Sequence, residues 1–118
     1  MRAALKRLHS PDIYDLESYV PLEKENFGFL LQAFIGPKDT EGEESFDIEL
    51  CTPQWINEKL DKLNIMKGCH LLIVKEYNFT NKRNYINGYV EKCYGENLID
   101  IANQLSAIGR WEFDNYKS

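Results

Sequence analysis

The chain has 118 residues, a mass of 13.8 kDa and a net charge of −5 from 19 acids and 14 bases. With 43% hydrophobic and 28% charged residues, it has the make-up of one folded domain over residues 1–118 and not of a disordered tract. No run of 18 apolar residues is present to span a membrane, and the basic start, Met1–Asp12, lacks the apolar core of a signal peptide.

Those features point to a cytoplasmic protein. The three cysteines, Cys51, Cys69 and Cys93, are odd in number and lack metal-site spacing. The expectation is three reduced thiols, with no disulfide and no metal.

The first segment, Arg2–His9, has short-strand character and ends at the turn Ser10-Pro11-Asp12. Residues 12–26 mix acids with Ile13, Tyr14, Leu16, Tyr19, Val20 and Leu22, and Pro21 forbids a continuous helix, so an irregular loop is expected. Phe27–Ile35 is apolar at nearly every position and reads as a central strand. The turn-rich segment 36–42 then connects it to a strand in which Phe46, Ile48 and Leu50 alternate with Asp47, Glu49 and Cys51. One face of that strand is therefore buried and the other acidic and wet, and the two strands pair antiparallel.

Thr52-Pro53 opens a helix, with threonine as N-cap and proline in the first turn. Trp55, Ile56, Leu60 and Leu63 share one side of it, and Gly68 marks its end. Leu71–Val74 reads as a strongly buried strand. A second helix over about 80–94 turns Tyr85, Ile86, Tyr89, Val90 and Cys93 inward, and a third over about 97–108 turns Leu98, Ile101, Ala102, Leu105 and Ile108 inward. The closing segment, Arg110–Phe113, is a strand with Trp111 and Phe113 on one face. The fold class is α+β: a largely antiparallel sheet with about three helices packed on one side. Phe29, Leu31, Ile48, Leu50, Leu72 and Val74 are expected to share its core with Trp55 and Trp111.

Charge is unevenly spread. Residues 12–49 hold 11 acids against 2 bases, a net of −9, while the rest of the chain nets +4. Such a field repels phosphates and attracts cationic surfaces, which disfavours nucleic-acid binding and favours a basic protein partner. The candidate partner-binding residues are Asp12, Asp15, Glu17, Glu23, Glu25, Asp39, Glu41, Glu43 and Glu44, with Tyr14 and Tyr19 as apolar anchors. Reversing Glu41, Glu43 and Glu44 to lysine should leave folding intact while slowing association.

No catalytic signature accompanies them. The sequence lacks a P-loop, a nucleophile elbow and a metalloprotease motif. The paired carboxylates Glu43-Glu44 and Asp47/Glu49 read as solvated acids. Cys51, beside a helix N-terminus, reads as a packed strand residue, although that position can lower a thiol pKa. No catalytic residue, cofactor or small-molecule substrate is assigned.

The order of motifs carries a resemblance. His9-Ser10-Pro11-Asp12 follows the first strand, Asn26-Phe27-Gly28-Phe29 opens the next, and Ile35-Gly36-Pro37 ends it. Cys51-Thr52-Pro53-Gln54-Trp55, His70–Val74 and Gly109-Arg110-Trp111-Glu112-Phe113 complete the series. This pattern resembles the immunity protein 8 family of bacterial polymorphic toxin systems over nearly the full length. It departs from the family at Glu96-Asn97, where a large residue is common. The resemblance implies a non-enzymatic protein that binds and neutralises the toxin domain of a cognate polymorphic or contact-dependent toxin; the acidic segment suits a basic one, a nuclease or another basic effector. Trp55, Trp111, Glu112 and Phe113 match family motifs and read as fold determinants. The alternative reading is a small cytosolic adaptor or regulatory module without a toxin partner.

Overall fold

The computed structural model describes residues 1–111. Its elements follow in the order β1 (Ala3–His9), β2 (Gly28–Pro37), β3 (Glu44–Cys51), α1 (Pro53–Leu63), β4 (Leu71–Ile73), α2 (Phe79–Glu91), α3 (Leu98–Leu105) and β5 (Arg110–Trp111). This is the α+β order read from the sequence. Strands β1 to β4 lie side by side in one sheet, and β5 pairs with β3. Pairing is antiparallel except between β3 and β4, which the α1 crossover makes parallel. The expected Glu112–Phe113 part of the last strand lies outside the described residues.

Alternation along β2 and β3 builds the core. Phe29, Leu31, Ala33 and Ile35 face the same side as Phe46, Ile48 and Leu50, in a register that sets Phe29 opposite Leu50 and Leu31 opposite Ile48. Ile86, Val90 and Cys93 at the end of α2, and Ile101, Ala102 and Leu105 of α3, cover that face. Trp111 closes one end of the core at 8% exposure.

α1 behaves differently from the helices that cover the core. None of its residues is buried, Leu63 is 58% exposed, and Trp55 joins the opposite face of the sheet instead of the core. A Cβ built on Gly28 would lie 2.2 Å from the Trp55 ring, and position 28 points away from Phe29. Glycine is therefore what lets the indole lie on the β2 backbone. Nor does Thr52 cap the helix with its side chain. Its Oγ1 accepts from Phe27 N at 3.1 Å and donates to Phe27 O at 3.3 Å, tying the start of α1 to the start of β2. The helix ends at Asn64, in the left-handed conformation (φ 63°), four residues before Gly68.

Two further burial expectations are corrected. Leu71–Val74 is not deeply buried: Leu72 and Val74 reach the core rim, while Ile73 is 54% exposed, because β4 ends the sheet and only one of its edges is paired. Tyr85 is 60% exposed, since Lys82, Ile86 and Val90 set the buried stripe of α2.

Candidate functional site

The acids of segment 12–49 separate into two groups in space. β1 stops opposite Gln32, and Asp12 Oδ2 then accepts from Leu30 N at 3.1 Å, the next donor along β2. Around this end lie Asp15, Glu17, Glu23 and Glu25, all exposed. Asp15 Oδ1 accepts from Glu17 N at 3.1 Å. Asn26 Nδ2 donates to Glu23 Oε2 at 2.8 Å and to Glu58 Oε2 at 3.0 Å. Lys24 pairs with Glu76 at 3.2 Å.

The other group sits beyond Pro37, in the loop that joins β2 to β3. From Leu30 to Pro37 the strand rises about 24 Å at ~3.4 Å per residue. That is several times the ~8 Å screening length at physiological salt. The single acidic field suggested by composition is thus two separate fields.

Within the second group, Asp39 and Glu41 are exposed, while Glu43 and Glu44 are engaged by the protein itself. Glu43 Oε1 takes Arg7 at 2.8 Å, and the Arg7 guanidinium lies 3.8 Å from the Phe34 ring centroid. Glu44 Oε2 accepts from Trp111 Nε1. Reversal of these two residues would remove both internal contacts, which bears on the expectation that the triple lysine variant folds intact.

Between the two groups runs the face of the sheet away from the core, on which Trp55 of α1 lies at the Gly28 end. Glu49 lies opposite Leu30, and Asp47 lies opposite Gln32, whose Nε2 donates to Asp47 Oδ1 at 3.3 Å. Partial burial pushes the Glu49 carboxyl up, the Asp12 charge adds to that, and Lys59 opposes it. Asp12, Glu49 and Asp47 thereby extend the first acidic end along this face as far as Gln32, flanked by His9, Arg7 and Arg110. The alternation of Asp47 and Glu49 marked this face in the sequence; its link to Asp12 is a product of the fold.

The two tyrosines differ. Tyr14 is fully exposed. Tyr19 is packed, its ring edge-on to Phe29 at 5.6 Å and to Tyr77 at 5.0 Å, and Tyr77 OH donates to Leu16 O. The aromatic cluster thus pins loop 10–27 instead of presenting Tyr19 to a partner.

Nucleophilic chemistry finds no support at Cys51. Burial, with Glu49 adding to it, pushes that thiol up to about 11, the reverse of an activated cysteine. Cys93 is likewise pushed up by burial. All three cysteines are unpaired, with Cys69 exposed. Among the described residues no group of three His, Cys, Asp or Glu side chains converges as a metal site would need, and no helix is long and apolar enough to cross a membrane.

The family model described as Immunity protein 8 matches residues 3–116. No curated protein and no solved structure matches the chain.

Proposed function

The chain belongs to the immunity protein 8 family, and from that premise we propose that it binds and neutralises the toxin domain of a cognate bacterial polymorphic or contact-dependent toxin, one to one. The family match over residues 3–116 carries this reading. In it the protein is a binding protein and not an enzyme. It works in the cytoplasm of the cell that makes it and needs no metal, cofactor, nucleic acid or membrane.

Charge supports a basic toxin domain, of which a nuclease is one kind. The toxin-facing surface in this reading is the sheet face away from the core, outside the part that Trp55 covers, with its two acidic ends: Asp12, Asp15, Glu17, Glu23 and Glu25 at one, Asp39 and Glu41 at the other, and Tyr14 as the protruding aromatic. Glu43 and Glu44 shape the second end through Arg7 and Trp111. Separate acidic fields on one face steer a cationic partner and fix its orientation, acting mainly on the association rate.

Co-expression with the toxin domain encoded upstream tests the proposal. Protection of the cell and a 1:1 complex on purification are expected; a toxic domain that the chain neither binds nor silences refutes it. In the complex, the pair Asp39→Lys and Glu41→Lys should slow association and flatten its salt dependence. An unchanged rate and salt slope would remove this end from the interface.

A further inference from the structure

β4 leaves one edge of the sheet open. His70 O accepts from Glu49 N at 2.9 Å, and Val74 N donates to Cys51 O at 2.8 Å. Residues 70, 72 and 74 therefore turn their backbone groups toward β3, and by alternation Leu71 and Ile73 turn theirs to the other edge. Among the described residues no strand pairs there. Native sheets usually blunt such an edge with a charge, a proline or a bulge. Leu71-Leu72-Ile73 has none of these.

Helix α2 runs beside this edge. Asn81, Lys82 and Tyr85 line with residues 71–74 a cavity of about 430 Å³, which Lys75, Glu76 and Asn78 continue along the same side, Glu76 being paired with Lys24 at 3.2 Å. Ile73 and Tyr85 hold apolar surface open to it at 54% and 60% exposure. Lys82, which lines both parts, is only 3% exposed, and its Nζ is buried with no hydrogen-bond acceptor among the described residues. The ammonium rests 3.8 Å from the Tyr77 ring centroid and 4.6 Å from that of Phe79. Thr52 and Ser10, also buried, have hydrogen-bond partners, so Lys82 is the exception. A buried cation without a counter-ion is costly, and a partner's carboxylate would relieve that cost.

We propose that this groove receives an extended segment of the toxin, hydrogen-bonded to the β4 edge at Leu71 and Ile73, with an aspartate or glutamate of that segment taking the Lys82 ammonium. The identity of the partner rests on the immunity reading; the chemistry of the groove does not. Backbone pairing supplies affinity and the buried lysine supplies selectivity, as in other strand-addition complexes. A second copy of the chain fits poorly, because its matching edge, His70–Lys75, brings no carboxylate.

The test uses the whole ¹⁵N-labelled protein and the blocked peptide acetyl-Thr-Val-Glu-Val-Thr-amide, with its glutamine counterpart as control. At about 5 mM peptide, the glutamate form should move the Leu71 and Ile73 amide signals and the Lys82 ammonium signal, and bind about tenfold tighter than the glutamine form. K82M should bind both forms alike and weakly. Unmoved Leu71 and Ile73 signals, or equal binding of the two peptides to the wild type, overturn the proposal. No toxin enters the assay, so its failure removes the groove and leaves the toxin-binding reading to the co-expression experiment.

Discussion

Replacing Lys82 by methionine should make the protein more stable. The lysine is 3% exposed with no hydrogen-bond acceptor for its ammonium among the described residues, and burial lowers its pKa from 10.5 to about 8. A shift of that size is worth about 3 kcal/mol against the charged form. The ring faces of Tyr77 and Phe79 return about 1 kcal/mol of attraction for a cation, leaving a net cost of about 2 kcal/mol. Methionine keeps the length of the stem and removes the amine. Its gain at pH 7 should therefore be about 2 kcal/mol, or roughly 8 °C in Tm for a domain of this size. The sign with pH follows from linkage. Below pH 8 both the folded and the unfolded lysine are protonated, so the cost is fully present. Between about 8 and 10.5 the unfolded chain binds more protons than the folded one, and wild-type stability rises with pH relative to K82M. Urea unfolding of both proteins from pH 6 to 10 should show a gap that is constant up to about pH 7.5 and then narrows. Tyr77, pushed up to about 12 by burial, stays neutral across that range. A destabilised K82M, or a gap that does not change with pH, would refute the reasoning.

Trp111→Ala should cost about 3–5 kcal/mol, because it removes a large side chain that closes the core opposite Phe46; urea unfolding measures it, and a loss under about 1 kcal/mol would show that Trp111 is not a fold determinant. Thiol titration of the native protein should find one fast group, Cys69, with Cys51 and Cys93 reacting only on unfolding; a fast Cys51 would contradict the burial that raises its pKa.

What was legible in the sequence was what alternation and punctuation encode. Phe46, Ile48 and Leu50 against Asp47 and Glu49 marked the strand and its buried face through their two-residue period, whereas on the other face Asp47 and Glu49 are half-buried and Cys51 fully buried beside β4, so the expectation of a wet face is corrected. Thr52-Pro53 located the start of α1 through a local backbone requirement, whereas α3 ends at Leu105, four residues before the Gly109 expected to close it. Misreadings arose where tertiary placement decides. Leu71–Val74 is as apolar as a central strand, but its position at the edge of the sheet leaves Ile73 in the open. The apolar side of α1 has helical spacing, yet only the missing Cβ of Gly28 seats Trp55 against the sheet, and it does so on the face away from the core. Lys82 carried a usable signal: it stands four and eight residues before Ile86 and Val90, on the buried stripe of α2. A charged residue in such a stripe marks a buried cation before any coordinates exist.

The candidate site was legible in composition but not in shape. A net of −9 over residues 12–49 says that the segment is acidic, and nothing about where its ends go. β2 carries them about 24 Å apart, which at ~8 Å of screening uncouples them. Arg7 and Trp111 then draw Glu43 and Glu44 into the structure of the protein. The charge left for a partner is smaller than the count, and it is divided between two ends, with Asp12, Glu49 and Asp47 extending the first along the sheet face. Such a division suits recognition of one orientation better than general attraction of cations. A partner with basic groups at matching separation engages both ends at once, whereas a small cation or a single basic patch meets only one. Burial raises the pKa of Glu49 and the Asp12 charge adds to it; in the proposed reading a cationic partner relieves that second part. In the same reading, selectivity for a basic protein resides in the spacing set by β2, and mutations that shift the β2–β3 register would damage it more than removal of any one carboxylate.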